Sequence, residues 1–591
     1  MPEQPWVGKK SIPAVDLVDL PISITVTDQD GHTVLDYTFE RNPDQVELDE
    51  QEVTDSPLDS QGLYKLGLSH ENFDNRESAI LAYRRAIALA DENGEAHFQL
   101  GLMLLRSADF SNARQHMSRA VELGLNDGYY YLGLLGLLEG SLDAARDAFL
   151  LVLANTSLAY AACSGLGLVA MHKEDWQEAV SYFQKSSAMD ERPYSAASLL
   201  GIALRKAERL DEARSQFEGL LKIDPLNHTA LREMSLLDPS GSFRDRLERM
   251  HADDRQYILD LACFYAVSGL PEDAVSVILE SSSNLRYPMA GYLVAYFLHI
   301  LKHDSEAQDW LEKAEQLSPD YVFPSRLEEV QALWYALEQN PQDHKAHYYL
   351  GNFLYAHQRY EEAVQEWTDS LPGLGSFGVV YRNLGWAAWK RQGNITLAID
   401  LFERALGINP NNQDLYIHLD ELYTALNKGE KREQLLQKME SLTAPREDVR
   451  KRTIQVKVEL GRYVEALHQM KTQKFVPLEM DQSFHNLYVK ALLLRARDHM
   501  DAGQVVKAIQ DYREALDYPS NLGVGKPVTR SHAHVYYLLG VANEKLGRFR
   551  EALQAWQDGA SEHHPKGTPL FEYVQLCLDK LGRYDELGFE I

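Results

Sequence analysis

Residues 66–83 read LGLSHENFDNRESAILAY and contain a three-part pattern. A Leu-Gly pair ending at Gly67 is followed after twelve residues by Ala79 and after a further four by Tyr83. Later copies follow at a spacing close to 34 residues, and their Gly, Ala and large apolar members are Gly101, Ala113 and Met117; Gly133, Ala145 and Phe149; Gly167, Ala179 and Phe183; and Gly201, Ala213 and Phe217. A period of this length predicts one helix–turn–helix unit repeated along the chain.

The pattern has a physical cause in the crossing of two antiparallel helices. A small Gly on the first helix and a small Ala on the second let the backbones approach, and the large residue fills the gap beside them. One pair cannot bury its apolar face alone, so neighbouring pairs stack into a superhelix. This is typical of tetratricopeptide repeats, and looser copies continue beyond residue 250, such as Gly351 with Trp367. We therefore predict an all-α tetratricopeptide-repeat superhelix of about a dozen units.

The first 60 residues differ from the repeats. Residues 22–40, ISITVTDQDGHTVLDYTFE, alternate apolar and polar residues on both sides of Asp30-Gly31, which favours a tight turn. A short β-hairpin is predicted here, followed by an acidic linker. Because a lone hairpin is marginal in water, we expect it to pack on the first helices or to join a sheet supplied by another chain.

The regularity of the repeat divides the chain into three parts. The register is lost across residues 231–256, which separate a regular block from the remainder. A solenoid has no single core and can be extended by adding repeats, so chain length alone does not give its number of domains. We predict an N-terminal hairpin with its acidic linker, a regular repeat block and a second, less regular repeat block, which span residues 1–61, 62–238 and 239–591.

Composition narrows the classes of partner. The 591 residues include 88 acidic and 59 basic side chains, and the formal net charge is −29. This charge disfavours nucleic acid and anionic membranes as partners. Cys163, Cys263 and Cys577 are isolated and show no CxxC spacing, which fits a reducing compartment and no zinc site. No apolar stretch reaches transmembrane length. We therefore expect a cytoplasmic chain without a cofactor or a metal.

Catalytic signatures are missing from the sequence. Neither a GxSxG motif nor a phosphate-binding P-loop appears. His532 and His534 lie two residues apart and do not share a helix face, and His563 and His564 have no HExxH partner, so surface or inter-helix roles are favoured over metal binding. The chain is therefore expected not to be an enzyme.

The C-terminal half carries segments that are more specific than the repeat pattern. They include RNLG at 382–385 and YPSNLGVGK at 518–526. Together with the opening stretch, they resemble a family of large bacterial proteins in which a β-sandwich domain of unknown function precedes a long tetratricopeptide tail. The resemblance covers nearly all of residues 13–591 and implies no established reaction. The chain departs from it at FVPLEMDQS, from Phe475, where the family has a stretch like FHPWEGGEG, so no ligand role is carried over there.

Binding residues are expected on the first helix of a unit, beside the Gly, where side chains face the concave groove. In two consecutive units these are Tyr348, Asn352, Tyr355, Arg382, Asn383, Trp386 and Trp389. Asn352 and Asn383 stand where peptide-clamping arrays hold a C-terminal carboxylate. Tyr348 and Asp414 occupy the places of the lysines that such clamps need, so a chaperone-tail clamp is rejected. Aromatic, Asn and Arg side chains remain for peptide side chains or sugar rings.

Two functions are carried forward. The first is a non-catalytic scaffold that binds a segment of a protein partner in the concave groove. The alternative, implied by the resemblance alone, is an accessory subunit or remnant of a carbohydrate-active or carbohydrate-binding assembly, pairing with a β-sandwich chain that completes the hairpin sheet. Neither function excludes a homo-oligomer. A competing interpretation of Trp386 and Trp389 is that both pack between helices.

Overall fold

The computed structural model describes residues 22–27, 33–39, 58–153, 158–189, 194–239, 242–251, 255–280, 286–476, 482–525, 527 and 532–586. Two compact units divide the chain, residues 1–97 and residues 98–591. Among the described helices, none has both the length and the apolar character needed to cross a membrane.

Two β-strands lie near the N-terminus, β1 (Ile22–Thr27) and β2 (Thr33–Phe39). They pair antiparallel, and Ile22 stands opposite Phe39. Within the described segments each strand has only the other as its neighbour. The turn predicted at Asp30-Gly31 lies outside the described residues.

From residue 60 onward, regular structure in the described part is helical. Its 30 α-helices are α1 (Ser60–Asn72), α2 (Arg76–Leu89), α3 (Gly94–Arg106), α4 (Phe110–Glu122), α5 (Gly128–Leu138), α6 (Leu142–Val152), α7 (Ala159–His172), α8 (Trp176–Met189), α9 (Tyr194–Lys206), α10 (Leu210–Ile223), α11 (His228–Leu237), α12 (Phe243–His251), α13 (Arg255–Val267), α14 (Pro271–Leu279), α15 (Pro288–Ile300), α16 (Asp304–Gln316), α17 (Leu327–Gln339), α18 (His344–Ala356), α19 (Tyr360–Leu374), α20 (Gly378–Lys390), α21 (Ile395–Ile408), α22 (Asp414–Ala425), α23 (Gly429–Glu440), α24 (Glu447–Glu459), α25 (Tyr463–Thr472), α26 (Ser483–Asp501), α27 (Val505–Glu514), α28 (Ala533–Lys545), α29 (Phe549–Ala560) and α30 (Pro569–Glu586). The predicted all-helical solenoid is confirmed.

The contact predicted between the Gly and the large residue of a unit is also confirmed. A methyl group placed on Gly133 of α5 would lie 2.6 Å from a ring carbon of Phe149 on α6. One placed on Gly167 of α7 would lie 2.5 Å from a ring carbon of Phe183 on α8. Both rings are fully buried. Carbon atoms prefer separations of about 3.5–4.0 Å, so only Gly lets these rings lie so close to the first helix.

A left-handed residue marks the turn inside each unit. It stands seven residues after the Gly position, or eight where the turn is one residue longer. Its thirteen occurrences in the described residues are Asp74, Ala108, Gly140, Glu174, Glu208, Gly269, Lys302, Gln358, Gly393, Asn427, Gly461, Gly503 and Gly547. Residues with a side chain are less stable in this conformation by roughly 1–2 kcal/mol. Helix packing therefore imposes the turn where Gly is absent, and thirteen turns agree with the predicted dozen units.

One unit replaces the small Gly–Ala pair by an ion pair. Asp420 on α22 stands at the Gly position and Arg432 on α23 at the Ala position, twelve residues later. The Asp420 carboxylate is fully buried and accepts hydrogen bonds at 2.7 Å from Nε of Arg432 and from Nε of Arg452 on α24. Arg432 also donates to Glu459 at 2.7 Å. A buried carboxylate needs such partners. In this unit ion pairs therefore hold the helices together, whereas in the neighbouring units close packing does.

Units that are far apart in sequence touch within residues 98–591. The Arg359 side chain, at the start of α19, donates to the carbonyl oxygen of Ser107 at 3.0 Å. The Gln331 amide on α17 donates to the carbonyl oxygen of Leu138 at 2.9 Å. These pairs are separated by 252 and 193 residues, so they depend on how the intervening units stack.

An ion-pair network lies near the predicted boundary at residue 238. The Arg205 guanidinium on α9 pairs with the fully buried Glu233 on α11 at 2.5 Å and with Asp273 on α14 at 3.1 Å. The Tyr265 hydroxyl on α13 donates to Glu233 at 2.6 Å. The network joins residues on both sides of the boundary, and the division into two repeat blocks stays a prediction.

Candidate functional site

Asn352 and Asn383 are joined by hydrogen bonds inside the protein. Oδ1 of Asn352 on α18 accepts from Nε1 of Trp367 at 3.1 Å and from Nδ2 of Asn383 on α20 at 3.2 Å. Oδ1 of Asn383 accepts in turn from Nη2 of Arg382 at 3.0 Å. Both amide oxygens are thereby engaged, so the two residues act first to position α18 against α20 and to hold the Arg382 guanidinium.

The two tyrosines predicted on α18 differ in exposure. Tyr348 is buried, with 2% of its surface exposed, and its ring lies edge-on to Phe377 with 5.4 Å between centroids. Burial raises the pKa of its hydroxyl. Tyr355 is half-buried, and its ring centroid lies 5.0 Å from that of Trp367. Tyr348 therefore packs beneath the surface, while Tyr355 keeps an accessible part.

Trp386 and Trp389 form a cluster with a histidine of the next unit. Both indoles are half-buried, with 5.2 Å between ring centroids. The His418 ring on α22 lies 4.7 Å from Trp386, and burial lowers its pKa, which favours the neutral imidazole. Nζ of Lys390 lies 3.5 Å from the centroid of Trp389, within cation–π range. Each indole therefore packs on a neighbour and keeps part of its surface exposed.

This cluster is basic although the protein is acidic. Arg382 lies one helical turn before Trp386 on α20, and Lys390 lies at the end of the same helix. Among the described residues, neither cation has a carboxylate oxygen within 4.0 Å. We call Arg382, Trp386, Trp389, Lys390 and His418 the aromatic–basic surface. It presents cationic donors beside aromatic faces.

Asp414 is the residue that the sequence places where a carboxylate clamp would need a lysine. Its carboxylate on α22 pairs with Arg446 at 2.6 Å. It therefore adds a negative charge, partly balanced by that arginine, where a clamp would add a positive one.

The Gly-rich segment before α20 belongs to the helical architecture. Residues 373–378 read GLGSFG, which matches the GxGxxG spacing. However, α19 runs to Leu374 and α20 begins at Gly378, with no strand in front. A dinucleotide fingerprint needs a strand before its glycines. A methyl group on Gly378 would lie 3.1 Å from the carbonyl oxygen of Ala405, so this Gly serves the approach of α20 to α21.

Two of the C-terminal histidines, His532 and His564, contact a buried carboxylate. Across the described residues, no group of three or more His, Cys, Asp and Glu side chains could hold a metal ion. The buried Glu562 carboxylate accepts from the backbone N–H groups of His532 and Ala533 at 2.9 and 2.8 Å, which caps the first turn of α28. Nε2 of His564 lies 2.9 Å from the same carboxylate. The surface or inter-helix roles favoured by the sequence stay a prediction for these histidines.

Comparison with known families identifies the repeat. A tetratricopeptide-repeat profile matches residues 64–127, 164–228, 330–378 and 493–567, and a second such profile matches residues 379–412. The chain contains tetratricopeptide repeats. Tetratricopeptide repeats typically mediate contacts between proteins and are generally non-catalytic.

Several solved structures are similar to this chain. The Naa15/Naa10 complex bound to HypK-THB shows 12% identity over 89% of this chain and 96% of that one, with a TM-score of 0.23. A tetratricopeptide repeat protein from Parabacteroides merdae shows 18% identity over 48% and 99%, with a TM-score of 0.21. YrrB, described as a TPR protein with an unusual peptide-binding site, shows 17% identity over 42% and 98%, with a TM-score of 0.20.

Two members of the aromatic–basic surface escaped the sequence prediction. His418 stands one repeat after Asn383, with the extra residue of the intervening turn counted, so repeat position alone could have indicated it. Lys390 directly follows Trp389. Its place over the indole depends on side-chain direction, which periodicity does not report.

Proposed function

We propose that the chain is a non-catalytic interaction scaffold and that its aromatic–basic surface binds a segment of a protein partner. One observation carries this proposal. Arg382 and Lys390 lie beside two half-exposed indoles, and among the described residues neither cation has a carboxylate nearby. A chain of net charge −29 has many acidic side chains available to neutralise a cation. Cations left open beside Trp are typical of binding hot spots.

The surface defines the chemistry of its partner. A guanidinium can bind a carboxylate through two parallel N–H donors. Nη2 of Arg382 already donates to Asn383, which fixes the direction of the group before a ligand arrives. The exposed parts of Trp386 and Trp389 offer apolar faces for an aromatic or aliphatic side chain. The expected segment therefore combines an Asp or Glu with a large apolar residue.

The test removes the guanidinium and one indole together. The Arg382→Ala, Trp386→Ala double variant should keep its helical circular dichroism spectrum but lose the partners that wild type retains in affinity purification with quantitative mass spectrometry. Arg404→Ala is the matched control, because Arg404 is exposed on the second helix of the same unit and, within the part of the chain that the structure describes, forms an ion pair only with Asp400, at 3.1 Å. This control should retain every partner.

Two outcomes would contradict the proposal. A folded double variant that retains all partners would show that binding occurs elsewhere. Equal losses in the double variant and in Arg404→Ala would show that general charge, rather than this surface, governs the association.

A second candidate rests on the N-terminal strands. Each of β1 and β2 has one neighbour in the described residues and leaves its other edge open. Open edges pair readily with further strands. We infer that a β-sandwich chain could add a strand here, and this protein would then be an accessory subunit of a carbohydrate-binding assembly. This role would be supported if such a chain co-purifies with the full protein and no longer does so after deletion of residues 1–57. Retention after deletion would exclude it.

A further inference from the structure

A cavity lies between the first helices of two C-terminal units, away from the aromatic–basic surface. It has a volume of about 720 Å³ and is lined mainly by α26 and α28. On α26 the lining side chains include Val489, Leu493 and Met500, and on α28 they include Leu538 and Val541. These spacings of three, four or seven residues place each set on one helix face. The floor of this C-terminal cavity is therefore an apolar strip formed by two neighbouring helices.

The rim of the C-terminal cavity is positively charged. Lys490 and Arg497 line it from α26, and both are exposed. Among the described residues Lys490 has no carboxylate within 4.0 Å, and the nearest carboxylate to Arg497 is its chain neighbour Asp498 at 3.9 Å. No described lining residue is Asp or Glu, although 88 residues of the chain are. The charge of the rim is therefore opposite to that of the protein.

A buried imidazole forms part of the lining. Nδ1 of His534 is buried without a hydrogen bond to any described residue. Burial lowers the pKa of this imidazole to about 4, and the neighbouring His532 adds to the effect. The ring is therefore neutral near pH 7 and adds no charge to the floor.

The dimensions indicate a short peptide. The lining of α26 extends from Asn486 to Met500, which is roughly 21 Å at 1.5 Å per residue. An extended segment of six or seven residues has about this length. Lys490 and Arg497 are about 10 Å apart along the axis, which is close to the repeat of three residues in polyproline II conformation.

We propose that the C-terminal cavity is a second binding site, for a peptide segment of a protein partner that carries two acidic residues three positions apart with large apolar residues between them. The apolar residues bury against Leu493, Leu538 and Val541, and the two carboxylates meet Lys490 and Arg497. This complementarity of charge and apolar surface distinguishes the partner from a purely acidic segment, which would leave the floor empty. Binding here is independent of the aromatic–basic surface.

The probe is a fluorescein-labelled peptide, Gly-Ser-Asp-Leu-Phe-Asp-Ser-Gly, titrated with the full chain by fluorescence anisotropy. Two control peptides replace both Asp by Asn, or replace Leu and Phe by Ser. We expect saturable binding of the first peptide alone. The Lys490→Gln, Arg497→Gln double variant should weaken it by roughly tenfold or more, because it removes both charge-assisted contacts of the peptide at the rim.

A matched variant controls for net charge. Lys507→Gln with Arg513→Gln removes the same charge from exposed positions on α27 outside the lining, and it should bind the peptide like wild type. Because the peptide also carries the acidic and apolar residues expected for the aromatic–basic surface, the Arg382→Ala, Trp386→Ala variant is titrated alongside wild type. The binding that this variant retains, and that Lys490→Gln with Arg497→Gln removes, belongs to the C-terminal cavity and not to the function proposed above.

Three results would overturn the inference. They are the absence of saturable peptide binding, equal weakening in both Gln variants, and tighter binding of the Asn peptide. Sodium laurate serves as a competitor that tests the occupant. If laurate binding requires Lys490 and Arg497 and no peptide binds, the cavity binds small amphipathic acids and the peptide assignment is wrong.

Discussion

Substituting Gly167 by Ala tests whether the close approach of Gly to a large ring holds a unit together. A methyl group at Gly167 would lie 2.5 and 2.7 Å from two ring carbons of Phe183. The Phe183 ring is fully buried. To reach an ordinary separation of about 3.5 Å, ring and helix must move apart by roughly 1 Å. The same substitution at Gly219 on α10 meets no heavy atom within 4 Å.

The two substitutions should change stability in opposite directions. In a helix interior, Ala is more favourable than Gly by about 0.8–1 kcal/mol. At Gly219 this gain acts alone, so the free energy of unfolding should rise by about 0.5–1 kcal/mol. At Gly167 overpacking costs about 1–3 kcal/mol, so a net loss of up to about 2 kcal/mol remains after the same helix gain is subtracted. The variants should therefore differ by about 1–3 kcal/mol although both change Gly to Ala.

Urea denaturation monitored by circular dichroism measures the difference, and hydrogen exchange locates it. Faster exchange in the Gly167→Ala variant should concentrate in α7, α8 and the adjoining helices, because most contacts of a repeat are with its neighbours. Adding Phe183→Leu should recover part of the loss by relieving the clash. If Gly167→Ala stabilises as much as Gly219→Ala, the close Gly–ring contact does not hold the unit together.

Further expectations concern turns, charges and protonation. Glu174→Gly removes a side chain from a left-handed turn and should raise the melting temperature in differential scanning calorimetry through a gain of about 0.5–1 kcal/mol; a lower value would contradict this. Asp420→Ala should destabilise by about 3–5 kcal/mol in urea titrations, and Arg432→Ala by less, because Arg452 still pairs with Asp420. The folded state holds the pKa of His534 at about 4, against about 6.5 in the unfolded state. As the pH falls from 6.5 toward 4 the unfolded state therefore binds a proton that the folded state excludes, and the free energy of unfolding decreases; above pH 6.5 this loss is absent. His534→Leu should remove about 2–3 kcal/mol of that dependence in unfolding measured across this window; an unchanged profile would refute it.

The candidate site was predictable in its location but not in its contacts. Repeat position indicated Asn352, Asn383 and Trp386, because residues beside the Gly share one face of the first helix. It did not indicate that Tyr348 is buried against Phe377. Whether an aromatic side chain on that face is exposed depends on its rotamer and on the neighbouring unit, neither of which appears in a spacing.

The sequence by itself determined the repeating helix pair, as the contact of Gly133 with Phe149 shows. The two residues are sixteen positions apart, and one turn between two helices of standard rise brings them together whatever the rest of the chain does. Tertiary structure alone decided the contact of Arg359 with Ser107, the pairing of Asp420 with Arg452 of the next unit and the cavity between α26 and α28. These features depend on small rotations between successive units, which accumulate along a solenoid, and on side-chain pairings between helices that no local spacing relates.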